Sequence, residues 1–160
     1  GLLDEFGVEA LSDVEKDWLN RAWHRLDPWP DVMPGLRRLR ESYVVATLSN
    51  GNMRLLADMA KRAGLPWDMI LSAELARHYK TDKEAYLKAA ELLNEEPADI
   101  CMVACHEVDL DGARDAGLRT AYVHRPDEWG REAEPDPMPD EDAFDVVADD
   151  VVALADRLGA

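Results

Sequence analysis

Cysteine, positive charge and long apolar runs are all scarce in this chain, and each scarcity excludes something. The two cysteines, Cys101 and Cys105, lie on one apolar segment. Extended chain would hold them roughly 13 Å apart, beyond disulfide reach. The composition is that of a reducing compartment, so a cytoplasmic location is expected. No Cys-x-x-Cys occurs and no His/Cys/Asp cluster at metal-ligand spacing surrounds Cys105, so neither a metal nor another cofactor is expected. No G-x-G-x-x-G follows a strand-like segment, which argues against a nicotinamide or flavin enzyme. No stretch approaches the about 18 uninterrupted apolar residues of a membrane span. The opening GLLDEFGVEALSDVEK has neither a basic leader with an apolar run nor an initiator Met.

Lys and Arg together number 18 against 34 Asp and Glu, a formal net charge of -16. A nucleic-acid backbone would be repelled, so that class of partner is excluded. What remains is 160 residues, 47% hydrophobic and 32% charged, enough for one domain with its own core.

The pattern along the chain alternates. Ser12 and Glu15 form a capping-box pair, opening a helix whose Val14, Trp18, Leu19, Ala22, Trp23 and Leu26 make an apolar stripe. Asp27-Pro28-Trp29-Pro30 ends it. Pro34 suits the first turn of a short helix through Leu39. Tyr43 to Leu48 reads as a buried strand, Met53 to Ala63 as a helix stopped by Gly64, and Met69 to Leu71 as a short strand. Helices follow near Glu74 to His78 and over Lys83 to Asn94. Ile100 to Ala104 is a strand, Leu110 to Ala116 a helix stopped by Gly117, and Thr120 to Val123 another strand. Residues 126–143, acidic and Pro-rich, read as a surface loop. Asp145 to Ala148 and Val151 to Leu158 close the series as strand and helix. Such alternation predicts an α/β fold with a Rossmann-like parallel sheet.

Three pieces fall where strands would end, which is where open α/β sheets place their ligands. Ser49 and Asn50 offer a hydroxyl and an amide to an anion beside a helix N-terminus, although Asn-Gly is also an ordinary turn pair. Lys80, in YKTDK, could neutralise a carboxylate, or be one more solvated surface charge. Asp109 follows a buried strand, with a plain helix N-cap or a partner for Lys80 as its two readings. His106 is an acid–base or orienting candidate, or a half-buried polar residue. Cys101 reads as a small buried hydrophobe; Cys105 stays open.

The segments DPWPDVMPGLRRLRESYVVATLSNGN (27–52), AGLPWDMILSAELARHYKTDKEAYLKAA (63–90) and MVACHEVDLDGARDAGLRTAYVHRPDEWG (102–130) resemble the haloacid dehalogenase superfamily, in particular its type II 2-haloacid dehalogenases. The resemblance implies a Rossmann-like core with a helical cap inserted after the first strand. It implies hydrolysis of short 2-haloacids to 2-hydroxy acids through an aspartyl ester. Ser49 would hold the substrate carboxylate, Asn50 the leaving halide, and His106 would line the substrate site. Lys80 would position and charge-balance the nucleophile, supported by Tyr86, and Asp109 would hold Lys80 and assist the hydrolytic water. A homodimer paired through helices would be in keeping with the resemblance, although no stripe marks its interface.

Phosphatases of the superfamily place an acid four residues before the Asp109 position, and the pair binds Mg²⁺. Here that position is Cys105, a poor ligand for a hard cation, so phosphoryl transfer would lose its main charge stabilisation. The nucleophile's Asp-x-Tyr-Gly-Thr-like motif is absent. The chain is therefore expected to hold a remnant of the cap in residues 1–28 and a core lacking its first strand in 29–160, and to be inactive alone. That strand would lie between the strands ending at Leu48 and Ala104. Ala104, Val108, His106 and Thr81 also depart from the usual pattern, which bears on substrate size. The competing expectations are a phosphate-ester hydrolase of the same fold and a non-catalytic Rossmann-like binding module.

Overall fold

The computed structural model describes residues 5–8, 11–130 and 132–160, and the elements named below are those of the described residues. Of the segment 1–28, residues 1–4 and 9–10 thus lie outside the described residues. Helix α1, Asp13–Asn20, begins at the expected capping box: Ser12 Oγ accepts from Glu15 N, and Glu15 accepts from Ser12 N. The helix does not run on to Leu26. After Asn20 the chain tightens into a 3₁₀ turn, Arg21–Arg25, which docks on the third helix through His24 Nδ1 and Asp58 Oδ2, 2.8 Å apart. Its apolar stripe is left open, with Trp18 64% and Trp23 66% exposed.

Helix α2 spans Val32–Ser42, longer at both ends than expected. Strand β1 is accordingly shorter, Ala46–Ser49, because residues 43–45 turn the chain out of α2. The Asp68 carboxylate receives the Val45 N–H at this turn. Helix α3, Met53–Ala63, has Asn52 accepting from Leu55 N and ends at Gly64 with φ 67°, where only glycine is unstrained. Strand β2 is Met69–Ser72. Helix α4 is a single turn, Ala73–Ala76, ending at Arg77 with φ 57°, so it stops short of His78. Helix α5 is Lys83–Leu93 and strand β3 Cys101–Ala104. Helix α6 is Glu107–Asp115, which begins three residues before the expected start. Asp109 is thus its third residue and not its N-cap. Strand β4 is Arg119–Val123, β5 Val146–Ala148 and helix α7 Val151–Leu158.

All strand pairs are parallel, as expected, but among the described residues they form two sheets. One is β1–β2, the other β3–β4–β5. Strand β4 is buried on both faces, and its alternation divides the core. Thr120 and Tyr122 are wholly or almost wholly buried; Tyr122 packs with Tyr86, Leu110, Ala113 and Phe144 on one side. Ala121 and Val123 pack with Leu36, Leu39 and Leu154 on the other. Helices α2 and α7 approach so closely that a Cβ on Gly35 would lie 2.7 Å from the Val151 backbone. Asp31 fastens the same corner, accepting two bonds from Arg125 and one from Val151 N.

Candidate active site

The carboxyl ends of β1 and β3 bring the three sequence pieces to one edge. Lys80 is the link between them. Its Nζ donates to Asp109 Oδ2 at 2.5 Å, and the two side chains are 14% and 13% exposed. Tyr86, wholly buried on α5, donates its hydroxyl to Asp109 Oδ1 at 2.7 Å. Burial, then the Asp109 carboxylate, raises the Tyr86 pKa well above that of free tyrosine, so this hydroxyl stays a donor. Both Asp109 oxygens are engaged by cationic or O–H donors.

The backbone of Lys80 is clamped by Asn50. Lys80 N donates to Asn50 Oδ1 at 2.7 Å, and Asn50 Nδ2 donates to Lys80 O at 3.0 Å; the following peptide bond, to Thr81, is cis. Among the described residues the second amide N–H of Asn50 has no protein acceptor. Ser49 Oγ accepts from Gly51 N at 3.0 Å, which orients the hydroxyl and leaves its proton free to donate. Gly51 is held in turn by Ser72, whose Oγ donates to Gly51 O. Gly112 on α6 lets the helix lie against the site: a Cβ there would meet Tyr86 Oη at 2.9 Å and Thr81 Cβ at 3.0 Å.

His106 precedes α6 and is half exposed; its Nε2 lies 3.0 Å from Glu128 Oε1. Cys105 Sγ lies 3.4 Å from Glu128 Oε2. The expectation that no cluster surrounds Cys105 is thus corrected: Cys105, His106 and Glu128 stand within 4.8 Å of one another. Glu128 was hidden because it lies 23 residues downstream, in a segment read as surface loop. Its only signal was its place in the HRPDEWG run. Cys101 is partly buried against the core, and no disulfide joins the two thiols.

Two cavities flank this edge. One of about 340 Å³ is lined by Asn50, Asn52, Glu74, Arg77, His78 and Tyr79. The other, about 280 Å³, is lined by Cys105, His106, Val108, Tyr122, Asp136 and Pro137. A Mg²⁺ at Asp109 would need about six oxygen ligands in a near-octahedral shell. Lys80 and Tyr86 each donate to one oxygen of Asp109, the Lys80 ammonium sets a positive charge against a cation there, and the neighbouring side chain is a thiol. These residues do not fit that ion.

A parallel α/β core with a lysine, a carboxylate and a serine at its strand ends is built like the α/β proteins that bind small ligands at that edge. More narrowly, the chain belongs to the haloacid dehalogenase-like hydrolases, whose family profile matches residues 1–117. It is 35% identical over 113 residues to (S)-2-haloacid dehalogenase 4A of Burkholderia cepacia, covering 69% of this chain and 49% of that protein. The chain thus spans about half the length of that curated relative. A crystal structure of an L-2-haloacid dehalogenase superposes with a TM-score of 0.92 at 43% identity, covering 98% of this chain and 68% of the other. A defluorinating L-2-haloacid dehalogenase gives 0.91 at 41%, covering 99% and 65%.

Proposed function

We propose that these residues serve the hydrolytic removal of halide from short 2-haloacids, without a metal, in a protein whose nucleophilic aspartate comes from a segment outside this sequence. The observation that carries this reading is the Lys80–Asp109–Tyr86 cluster, tied through Asn50 to the end of β1, beside a gap in strand pairing between β1 and β3 among the described residues. A strand entering that gap would end beside the Lys80 ammonium. An aspartate there would be held ionised by the cation and aimed at the substrate.

In the first step one carboxylate oxygen attacks the carbon that carries the halogen. The C–O bond forms as the carbon–halogen bond breaks, and halide leaves with the bonding electrons. Ser49 donates to the substrate carboxylate, and the free N–H of Asn50 faces the departing halide. Water then attacks the carbonyl of the aspartyl ester, Asp109 assists its deprotonation, and the 2-hydroxy acid departs with inverted configuration. The net change is haloacid plus water to hydroxy acid, halide and a proton. Residues 1–28 belong in this reading to the end of a cap, and 29–160 to a core awaiting its first strand. The 160 residues alone should not turn over.

Halide release from each enantiomer of 2-chloropropionate, measured with the protein from the whole coding sequence, tests the proposal. Turnover should persist in EDTA and fall by about 10²-fold or more in Lys80→Met, the scale of losing one electrostatic stabiliser. Mg²⁺-dependent phosphate-ester hydrolysis with no halide release would overturn it in favour of a phosphatase.

A further inference from the structure

Cys105, His106 and Glu128 take no part in the chemistry above, His106 being expected at most to line the substrate site, yet three different donor types meet there. We propose that they form a binding site for a borderline-soft divalent cation, with Zn²⁺ the best match, held by Cys105 Sγ, His106 Nε2 and one oxygen of Glu128. The assignment rests on this geometry and not on the dehalogenase reading.

Zinc takes thiolate sulfur at about 2.3 Å, imidazole nitrogen at about 2.0–2.1 Å and carboxylate oxygen at about 2.0–2.2 Å, in a tetrahedron. Those radii set donor separations of roughly 3.3–3.6 Å. His106 Nε2 lies 3.0 Å from Glu128 Oε1 and Cys105 Sγ 3.4 Å from the other oxygen, Oε2, and one ligand atom from each residue lies within 4.8 Å of the other two, so drawing the three donors onto one ion takes side-chain turns of about an ångström. Sulfur and nitrogen donors together disfavour Mg²⁺ and Ca²⁺. The cavity of about 280 Å³ that opens on Cys105 and His106 also gives access and room for water as fourth ligand; Asp136 on its wall adds negative charge.

A nucleophilic role for Cys105 is disfavoured. Burial, then the adjacent Glu128 carboxylate, pushes its thiol pKa up to about 11, so almost no thiolate forms near neutral pH without a cation. On binding, the Cys105 sulfur keeps its electron pair for the metal and its proton passes to solvent. Glu128 binds as a carboxylate, and His106 binds through Nε2 with its proton on Nδ1. Occupancy would also take His106 away from any substrate, so a bound metal would oppose turnover.

The test is Co²⁺ titration of the reduced, full-length protein, with Zn²⁺ affinity read by competition against a chromophoric chelator. One equivalent of Co²⁺ should give a thiolate-to-cobalt charge-transfer band and four-coordinate visible bands. Cys105→Ser should abolish the charge-transfer band, and Glu128→Gln should weaken Zn²⁺ by more than the roughly 10–100-fold that loss of an outer-shell partner costs. X-ray absorption of the unmutated zinc-loaded protein should show one sulfur at about 2.3 Å, a readout that does not depend on a variant folding. A shell of nitrogen and oxygen only, or Co²⁺ spectra and Zn²⁺ affinity unchanged in both variants, would overturn the site. Neither readout depends on halide release.

Discussion

Removing the Lys80–Asp109 ion pair as a whole should cost less than the sum of removing its two partners singly. Asp109→Ala would leave the Lys80 ammonium, 14% exposed, without its counter-charge and the buried Tyr86 hydroxyl without its carboxylate acceptor. Breaking a buried pair from one side costs about 3–5 kcal/mol. Residual exposure of both partners favours the low end, so about 3 kcal/mol is expected. For a chain of this size that corresponds to a melting point about 6–12 °C lower. Lys80→Met should cost a similar amount by stranding Asp109. The double variant Lys80→Met/Asp109→Ala removes both charges, so its loss should fall short of the sum of the singles by at least about 1 kcal/mol. Urea unfolding of the four proteins, made full-length, gives the cycle directly. Two singles that each cost under about 0.5 kcal/mol and add in the double would refute the claim that this pair is buried and coupled.

Gly112→Ala should destabilise although alanine is the better helix former by about 1 kcal/mol. Its methyl would press on Tyr86 Oη and Thr81 Cβ, an overpacking cost of about 1–3 kcal/mol, and a higher urea midpoint would refute this. Asp31 and Asp145 should make stability fall in acid. Burial alone would raise the Asp31 carboxyl, but bonds from Arg125 and Val151 N outweigh it; at Asp145 the Thr120 N–H, helped by its hydroxyl, outweighs burial. Both folded pKa values are thus depressed. Their contribution is present above the unfolded value of about 3.9 and is lost as pH falls through the folded values. Urea midpoints between pH 2 and 6 should show that slope, and Asp145→Asn should flatten it. Among the described residues β1 and β3 each keep one edge without a strand partner, so the 160 residues in isolation should self-associate with concentration; a sharp, cooperative melt of a monomer would count against the gap.

The alternation of strands and helices was legible in the sequence because each strand is a short β-branched or apolar run between turn residues, and β4 shows both faces buried. Helix starts were legible where a side-chain cap exists, as at Ser12, Asn52 and Asp150. The start of α6 was missed: His106 caps it without a side-chain bond, which left Asp109 open to reading as the cap. The lysine, tyrosine and aspartate of the site were recognisable by resemblance, but their bonds were not. That Asn50 grips the Lys80 backbone could not be read locally, since the two lie 30 residues apart. Glu128 escaped for the same reason, because loop sequence carries no period to show which way a side chain faces.

Lys80 also has a mechanical role. Its peptide is tied to the end of β1 through Asn50, while its ammonium is tied to α6, which covers the other sheet. Across a boundary where the described residues make no strand-to-strand hydrogen bonds, the residue proposed to tune the nucleophile is also a rivet between two plates. Substitutions that adjust its charge or reach therefore shift the plates as well. A core built this way tolerates change in the walls of its two cavities far more freely than in the group at its centre.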